Sequence, residues 1–266
     1  SFVDMPKTWL SITGSEVPDY MQGNIFIGKE KEEEQPFHFA FRGRMDERLD
    51  NARAVYSKDF LYIRNYMPYV PWMQKLEYLW RAKAAQAWDN YVEKGKASEI
   101  HSKYFYPKMY SEEFYDLNND PDNVNNLIGD AKYQLQIQKM REALRNWQLK
   151  INDSGLLPES EMLKRASENN ITIYEMVRNP MLYNLPALLD AADLALEKNK
   201  DNLPKLQKLL KSTDSGLRYW GTIGCFLLND YESAETCISD DSDEVRAMAA
   251  GTLINNGEKE KGLSFL

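Results

Sequence analysis

Residues Glu112 to Leu127 read EEFYDLNNDPDNVNNL. The first six favour an extended chain, because aromatic and apolar residues sit among polar ones over a short run. The next ten are Asn, Asp and a single Pro broken only by Val124 and Leu127, the composition of a turn whose side chains bond back to the backbone. From about Ala131 to Lys150 the pattern changes period: Tyr133, Ile137, Met140, Leu144, Trp147 and Ile151 follow one another at steps of three and four, one apolar stripe along a helix. A strand is finished here and a long helix begins, and the stripe requires a sheet or another helix beneath it.

Upstream lie the other strands of that sheet. PFHFAFRGRM, residues 36–45, alternates Phe37, Phe39 and Phe41 onto one face of a half-buried strand. ARAVYS and FLYIRNY are β-prone runs joined by a polar turn at Ser57 to Asp59, a hairpin. Between hairpin and last strand, residues 73–95 place Leu76, Trp80, Ala84, Ala87, Trp88 and Tyr91 at helical spacing, ended by Gly95. At the start, Asp4 is placed to cap a short helix through Leu10, with Pro6 in its first turn and Gly14 ending it. A Gly- and Pro-marked loop and the charge run KEKEEE, Lys29 to Glu34, follow.

Downstream of INDSGLLPE the chain reads as almost pure helix and echoes itself. Leu210, Leu217, Arg218 and Cys225 correspond to Ile238, Val245, Arg246 and Leu253 at a constant offset of 28 residues. Short HEAT-like helical hairpins have this pattern. The fold class expected is α+β: a small antiparallel sheet with packed helices over residues 1–157, then an all-α HEAT-like region over 158–266.

The bulk numbers set limits on function. The chain has 266 residues, 43% of them hydrophobic, enough for a real core. A net charge of −8 argues against wholesale binding to nucleic acid or anionic lipid. No apolar run reaches the roughly 18 residues of a transmembrane helix. The opening SFVDMPKTWL has no initiator Met and starts directly against a helix, so it reads as the downstream part of something longer. Cys225 and Cys237 lie in apolar helical surroundings without C-x-x-C spacing; buried thiols and a disulfide both stay open.

Three stretches together carry a family resemblance: SFVDMPKTWLSITGSEVPDYMQG, RGRMDERLDNARAVYSKDFLYIRNYMP and EEFYDLNNDPDNVNNLIGD. In this order and with these gaps the chain resembles, over about Ser1 to Glu159, the C-terminal part of a bacterial arylsulfatase-type sulfatase, and is similar also to N-sulfoglucosamine sulfohydrolases. The pairs Asp116-Leu117 and Asp120-Pro121, followed by Asn125, Asn126 and Leu127, are its most recognisable piece. The resemblance implies a small C-terminal subdomain, its sheet and long helix packed on an upstream α/β catalytic domain, and, in some bacterial members, a HEAT-like tail. It also implies a hydrolase of sulfate esters or N-sulfates of glycans or aryl sulfates, periplasmic or secreted, with calcium and a formylglycine as cofactors of the parent enzyme.

That aldehyde is made from Cys or Ser in a C/S-x-P-x-R motif, and no such motif occurs here: Cys225 is followed by FLLN and Cys237 by ISDD. No cluster of Asp, Asn and His has the pattern of a calcium site, and the only histidines are His38 and His101, neither in a catalytic context. No catalytic residue and no metal ligand is therefore expected in this chain, which alone should be inactive.

Recognition of the sugar is the role left open. Arg42, Arg44, Arg48, Arg53 and Arg64 crowd one segment with Asp46, Glu47 and Asp50. By resemblance the loop before the hairpin approaches the active-site mouth, which makes Arg44, Asp46 and Glu47 the candidate substrate contacts. The alternative is that these charges pair with one another as structural ties. Trp72, Trp80 and Trp88 read as packing, and the acidic run Ser239 to Glu244 lacks EF-hand spacing. A second function class stands beside the first: a non-enzymatic helical-repeat interaction module with a degenerate sheet domain.

Overall fold

The computed structural model describes residues 2–265. Among them the elements run α1 (Asp4–Thr13), β1 (His38–Arg42), β2 (Ala52–Tyr56), β3 (Phe60–Asn65), α2 (Glu77–Trp80), α3 (Lys83–Glu93), α4 (Glu99–Ser102), β4 (Glu112–Asp116) and α5 (Gln134–Ile151), then α6 (Glu159–Glu168), α7 (Ile173–Met176), α8 (Leu185–Leu196), α9 (Leu203–Leu209), α10 (Ser215–Leu228), α11 (Tyr231–Glu235), α12 (Asp243–Asn255) and α13 (Lys259–Leu263). The fold is α+β: one four-stranded antiparallel sheet in the order β1-β2-β3-β4, with many packed helices.

The chain divides into two compact units. One comprises residues 2–40, Arg53–Ile63 and Glu113–Ala143; the other comprises Phe41–Ala52, Arg64–Glu112 and residues 144–265. Ser1 and Leu266 lie outside the described residues.

From Glu113 onward, in the first unit, the stretch up to Leu127 does what its composition implies. The Asp116 carboxylate accepts the backbone N–H groups of Asn118 and Asn119 (3.1 and 3.3 Å), the Asn119 amide (2.9 Å) and the Tyr133 hydroxyl (3.1 Å). Asn119 and these other donors hold its pKa below the ordinary carboxylate value. Asp120 takes the N–H groups of Val124 and Asn125 (3.1 and 2.8 Å). The chain so folded turns back along β4: Asn126 Oδ1 accepts the Phe114 N–H at 3.0 Å, and Leu127 donates to the Phe114 carbonyl at 2.8 Å. Since β4 is an edge strand, this return closes polar groups that would otherwise be open to another chain. Beneath it Phe60, Phe114 and Tyr133 form a ring cluster with centroids 5.3–5.9 Å apart. Along α5, Ile137, Met140 and Leu144 are all buried, as the stripe requires.

Three local expectations need correction. Asp4 does not cap α1; Val3 is the N-cap, and the Asp4 carboxylate instead accepts the Asn24 N–H at 2.8 Å, an acceptor drawn away by a loop the local sequence does not reveal. The helix runs on to Thr13 and ends at the left-handed Gly14, φ 72°. The expected single helix over residues 73–95 breaks at Ala82, whose backbone is extended. Across the break the Trp80 carbonyl receives the Gln86 amide (2.6 Å) and the Trp80 indole donates to Asp89 (3.0 Å). The buried face of α3 is consequently Ala85 and Val92, while Ala84 and Ala87 are exposed. Finally, Phe41 is 74% exposed, because β1 is the sheet's other edge and its end is not covered as an interior strand would be.

The second unit is built on a large apolar core that includes Tyr66, Leu156, Met176, Leu188, Leu206, Trp220 and Ile223. Two of its polar groups are satisfied from within: the Trp220 indole donates to the Leu156 carbonyl (2.8 Å), and the Tyr66 hydroxyl donates to Gln148 (3.1 Å). In its C-terminal half, α9, α11 and α13 begin at Leu203, Tyr231 and Lys259, and α10 and α12 at Ser215 and Asp243, a recurrence every 28 residues. The two repeated arginines do the same work: Arg218 donates to the Ser212 carbonyl at 3.0 Å and Arg246 to the Asp240 carbonyl at 2.7 Å, each tying a helix to the turn before it. Cys225 and Cys237 are free thiols in the apolar cluster between these helices.

Candidate functional site

The segment Phe41–Ala52 holds six of the eight charges singled out from sequence, all but Arg53 and Arg64, and the second unit supplies the partners described here. Its centre is a tight turn in which Met45 and Arg48 exchange backbone hydrogen bonds (2.9 and 3.0 Å), closed by Asp46 in the left-handed region at φ 54°. Asp tolerates that conformation better than most residues because its short side chain makes local bonds.

Arg44 stands at the mouth of this turn. Its Nη1 donates to the Asp46 carbonyl at 3.3 Å, while Nε and Nη2 grip the two carboxylate oxygens of Glu159, the Nη2 bond being 3.0 Å. The hydrogen bond raises the guanidinium's pKa and lowers the carboxyl's. The Glu47 carboxylate receives the Glu77 N–H at 2.8 Å, where α2 begins and its first amides lack helical partners. On the far side of the turn the Gln74 amide holds both the N–H (3.0 Å) and the carbonyl (2.6 Å) of Leu49.

Under the turn sits a buried ion pair. Lys108 Nζ lies 2.6 Å from Asp50 Oδ1, with side chains 1% and 0% exposed, and Arg42 Nε lies 3.3 Å from Oδ2. That second contact is close enough for attraction but is not aligned as a hydrogen bond, and Oδ2 has no hydrogen-bond partner. Lys108 Nζ also lies 6.0 Å from the Trp72 ring centre. Arg64 reaches Asp193 at 2.6 Å, Arg53 is buried, and Arg48 has its Nε buried with no hydrogen-bond partner.

The three candidate residues are thus brought together in one turn, with Arg44 and Glu47 already engaged by protein groups. Glu159 and Lys108, which hold the turn, were not legible in the sequence. They stand 115 and 58 residues from their partners, and only the position of Glu159 just after a proline, in the first turn of a helix, marks it at all.

The other polar features are occupied. His101 Nδ1 lies 3.0 Å from Ser98 Oγ, and His38 is an exposed residue of β1. Trp72 and Trp88 pack on Tyr104, and Trp88 on Phe105. In the acidic run, Asp240 and Asp241 pair with Arg218, Asp243 with Arg246, and Glu244 with Ser160. No group of three or more His, Cys, Asp or Glu gathers in a metal-holding arrangement among the described residues. No helix of the described residues is long and apolar enough to cross a membrane.

No family model matches the chain. An ulvan-active sulfatase of Formosa agariphila is 35% identical over 165 residues, which is 62% of this chain and 28% of that protein. A solved protein, in complex with its substrate D-glucosamine-2-N,6-O-disulfate, aligns over 57% of this chain and 24% of its own at 18% identity and a TM-score of 0.36, too low for residues to be equated. The resemblance read from the sequence is borne out by the first of these: the chain is similar to a sulfatase over 165 residues and spans 28% of that relative's length.

Proposed function

We propose that this chain is the closing, C-terminal part of a sulfatase that hydrolyses sulfate esters or N-sulfates of glycans or aryl sulfates, and that Arg44, Asp46 and Glu47 contribute to substrate recognition. The observation that carries the reading is the 35% identity over 165 residues. The relative's activity on ulvan favours a sulfated polysaccharide within that class. Residues 1–157 then correspond to the small subdomain, and 158–266 to a HEAT-like region. Formylglycine and calcium would belong to the catalytic portion of the parent, exported to the periplasm or medium; the chain alone is inactive on this view. Arg44 suits recognition because a guanidinium binds planar or tetrahedral oxyanions through two parallel N–H bonds.

The test is sulfate release by the parent enzyme and its Arg44→Ala and Asp46→Ala variants. Removal of a contact made equally in ground and transition states raises KM with kcat little changed. Unchanged constants in both variants would take this turn out of the site. A parent reading frame with no C/S-x-P-x-R motif would sink the sulfatase assignment itself and leave the helical-repeat interaction module, which the 28-residue recurrence favours.

A further inference from the structure

We infer that Glu159 is an internal stand-in for the substrate's sulfate: its carboxylate occupies the fork of Arg44 that the oxyanion would take, and a sulfated ligand binds by displacing it. This rests on the reading of Arg44 as a substrate contact and adds the group that competes for it.

The geometry carries the argument. Arg44 is oriented from behind, Nη1 being tied to the Asp46 carbonyl at 3.3 Å within a turn that the Met45–Arg48 hydrogen bonds hold rigid. Its outer edge, Nε and Nη2, faces two oxygens of one anionic group, the arrangement a sulfate presents to a guanidinium. The pair is open to solvent, with side chains 53% and 49% exposed, so a ligand can reach it and little stability is lost when it separates. Glu159 is not stranded by displacement. As the first residue of α6, ten residues long, it lies against the positive end of a helix and can turn into water.

Local charge completes the case. Glu159 neutralises the outward edge of the guanidinium, so an incoming anion meets no net positive charge there until Glu159 leaves. Glu159 thereby sets a threshold: an anion must outbid a bidentate carboxylate to bind.

The test reads binding rather than turnover. Backbone amide signals of Met45 to Arg48 are followed by NMR in the full chain while sodium sulfate, or in a second arm methyl sulfate, replaces sodium chloride at constant ionic strength. The expected result is a saturable shift in the parent chain that tightens about two- to fivefold in Glu159→Gln, the range an exposed pair can supply, and disappears in Arg44→Ala. Glu159→Asp, whose shorter arm grips less well, should fall between, and it decides the matter if the Gln variant does not fold. Methyl sulfate binding as tightly as inorganic sulfate would show that the fork takes an ester. Binding of inorganic sulfate alone would overturn the inference, as would affinity unchanged or weakened in Glu159→Gln, or no saturable shift in any variant. A parent protein lacking the aldehyde motif would instead fail the sulfatase reading and leave this binding result standing.

Discussion

Replacing Lys108 by methionine gives the sharpest test of how the 41–52 turn is held. The substitution keeps most of the side chain's volume and removes its charge, leaving the Asp50 carboxylate, 0% exposed, with Arg42 Nε at 3.3 Å as its remaining charged neighbour here. Breaking one side of a buried pair costs about 3–5 kcal/mol, because the surviving charge keeps its desolvation penalty without its compensation. Arg42 is 37% exposed and meets Oδ2 without a hydrogen bond, so it softens the loss rather than cancelling it, and the low end, about 3 kcal/mol, applies. For a chain of this size that corresponds to a fall in Tm of about 6–12 °C. Thermal unfolding followed by tryptophan fluorescence reports on it directly, since Trp72 lies beside the lysine. The Asp50→Asn/Lys108→Met double variant should recover more than half of the loss, because no charge is then buried and the Asn carbonyl still accepts the Asn51 N–H. A single variant within about 2 °C of the parent, or two losses that simply add, would refute the claim that this pair is coupled and buried.

Tyr66→Phe removes a hydroxyl that donates to Gln148 inside the core and leaves an amide oxygen without that donor, for an expected loss of about 1–2 kcal/mol in urea titrations. Both thiols should resist a disulfide reagent at pH 8 until the chain unfolds: burial pushes Cys225 up to about 12 and raises Cys237, so little thiolate exists in the native state; labelling at a rate independent of denaturant would contradict this. The Arg44–Glu159 contact should fade in acid. Glu159 has its pKa lowered from 4.5 by Arg44, so its contribution is present above about pH 4.5 and lost as the pH falls through the lower folded-state value; Tm differences between parent and Glu159→Gln should shrink over that interval.

The sequence was most informative where the physics is local. Asp120 and Asn126 bond within a dozen residues of themselves, and Asp116 takes its backbone N–H donors from two and three residues on, so turn chemistry alone placed the end of the sheet, and the three-and-four spacing of Ile137, Met140 and Leu144 placed the helix that follows. It misled where a distant partner overrode a local preference: the Asp4 carboxylate turns to Asn24 rather than capping its helix, and the Trp80 contacts stopped a helix that the apolar spacing alone would have continued. The candidate site divides along the same line. Arg44, Asp46 and Glu47 stood out because charge was dense, yet what each charge meets depends on groups far along the chain.

By itself the sequence determined that a small sheet is closed at Asp116, that a striped helix follows, that the downstream helices recur every 28 residues, and that the chain is like a sulfatase; each of these is written in neighbouring residues or in a pattern of identities. Only the tertiary structure decided that Arg44 faces Glu159 and that Asp50 rests on Lys108. Those pairings arise from chain segments 115 and 58 residues apart meeting in space, and the free energy that selects them depends on burial and geometry, which composition and spacing do not encode.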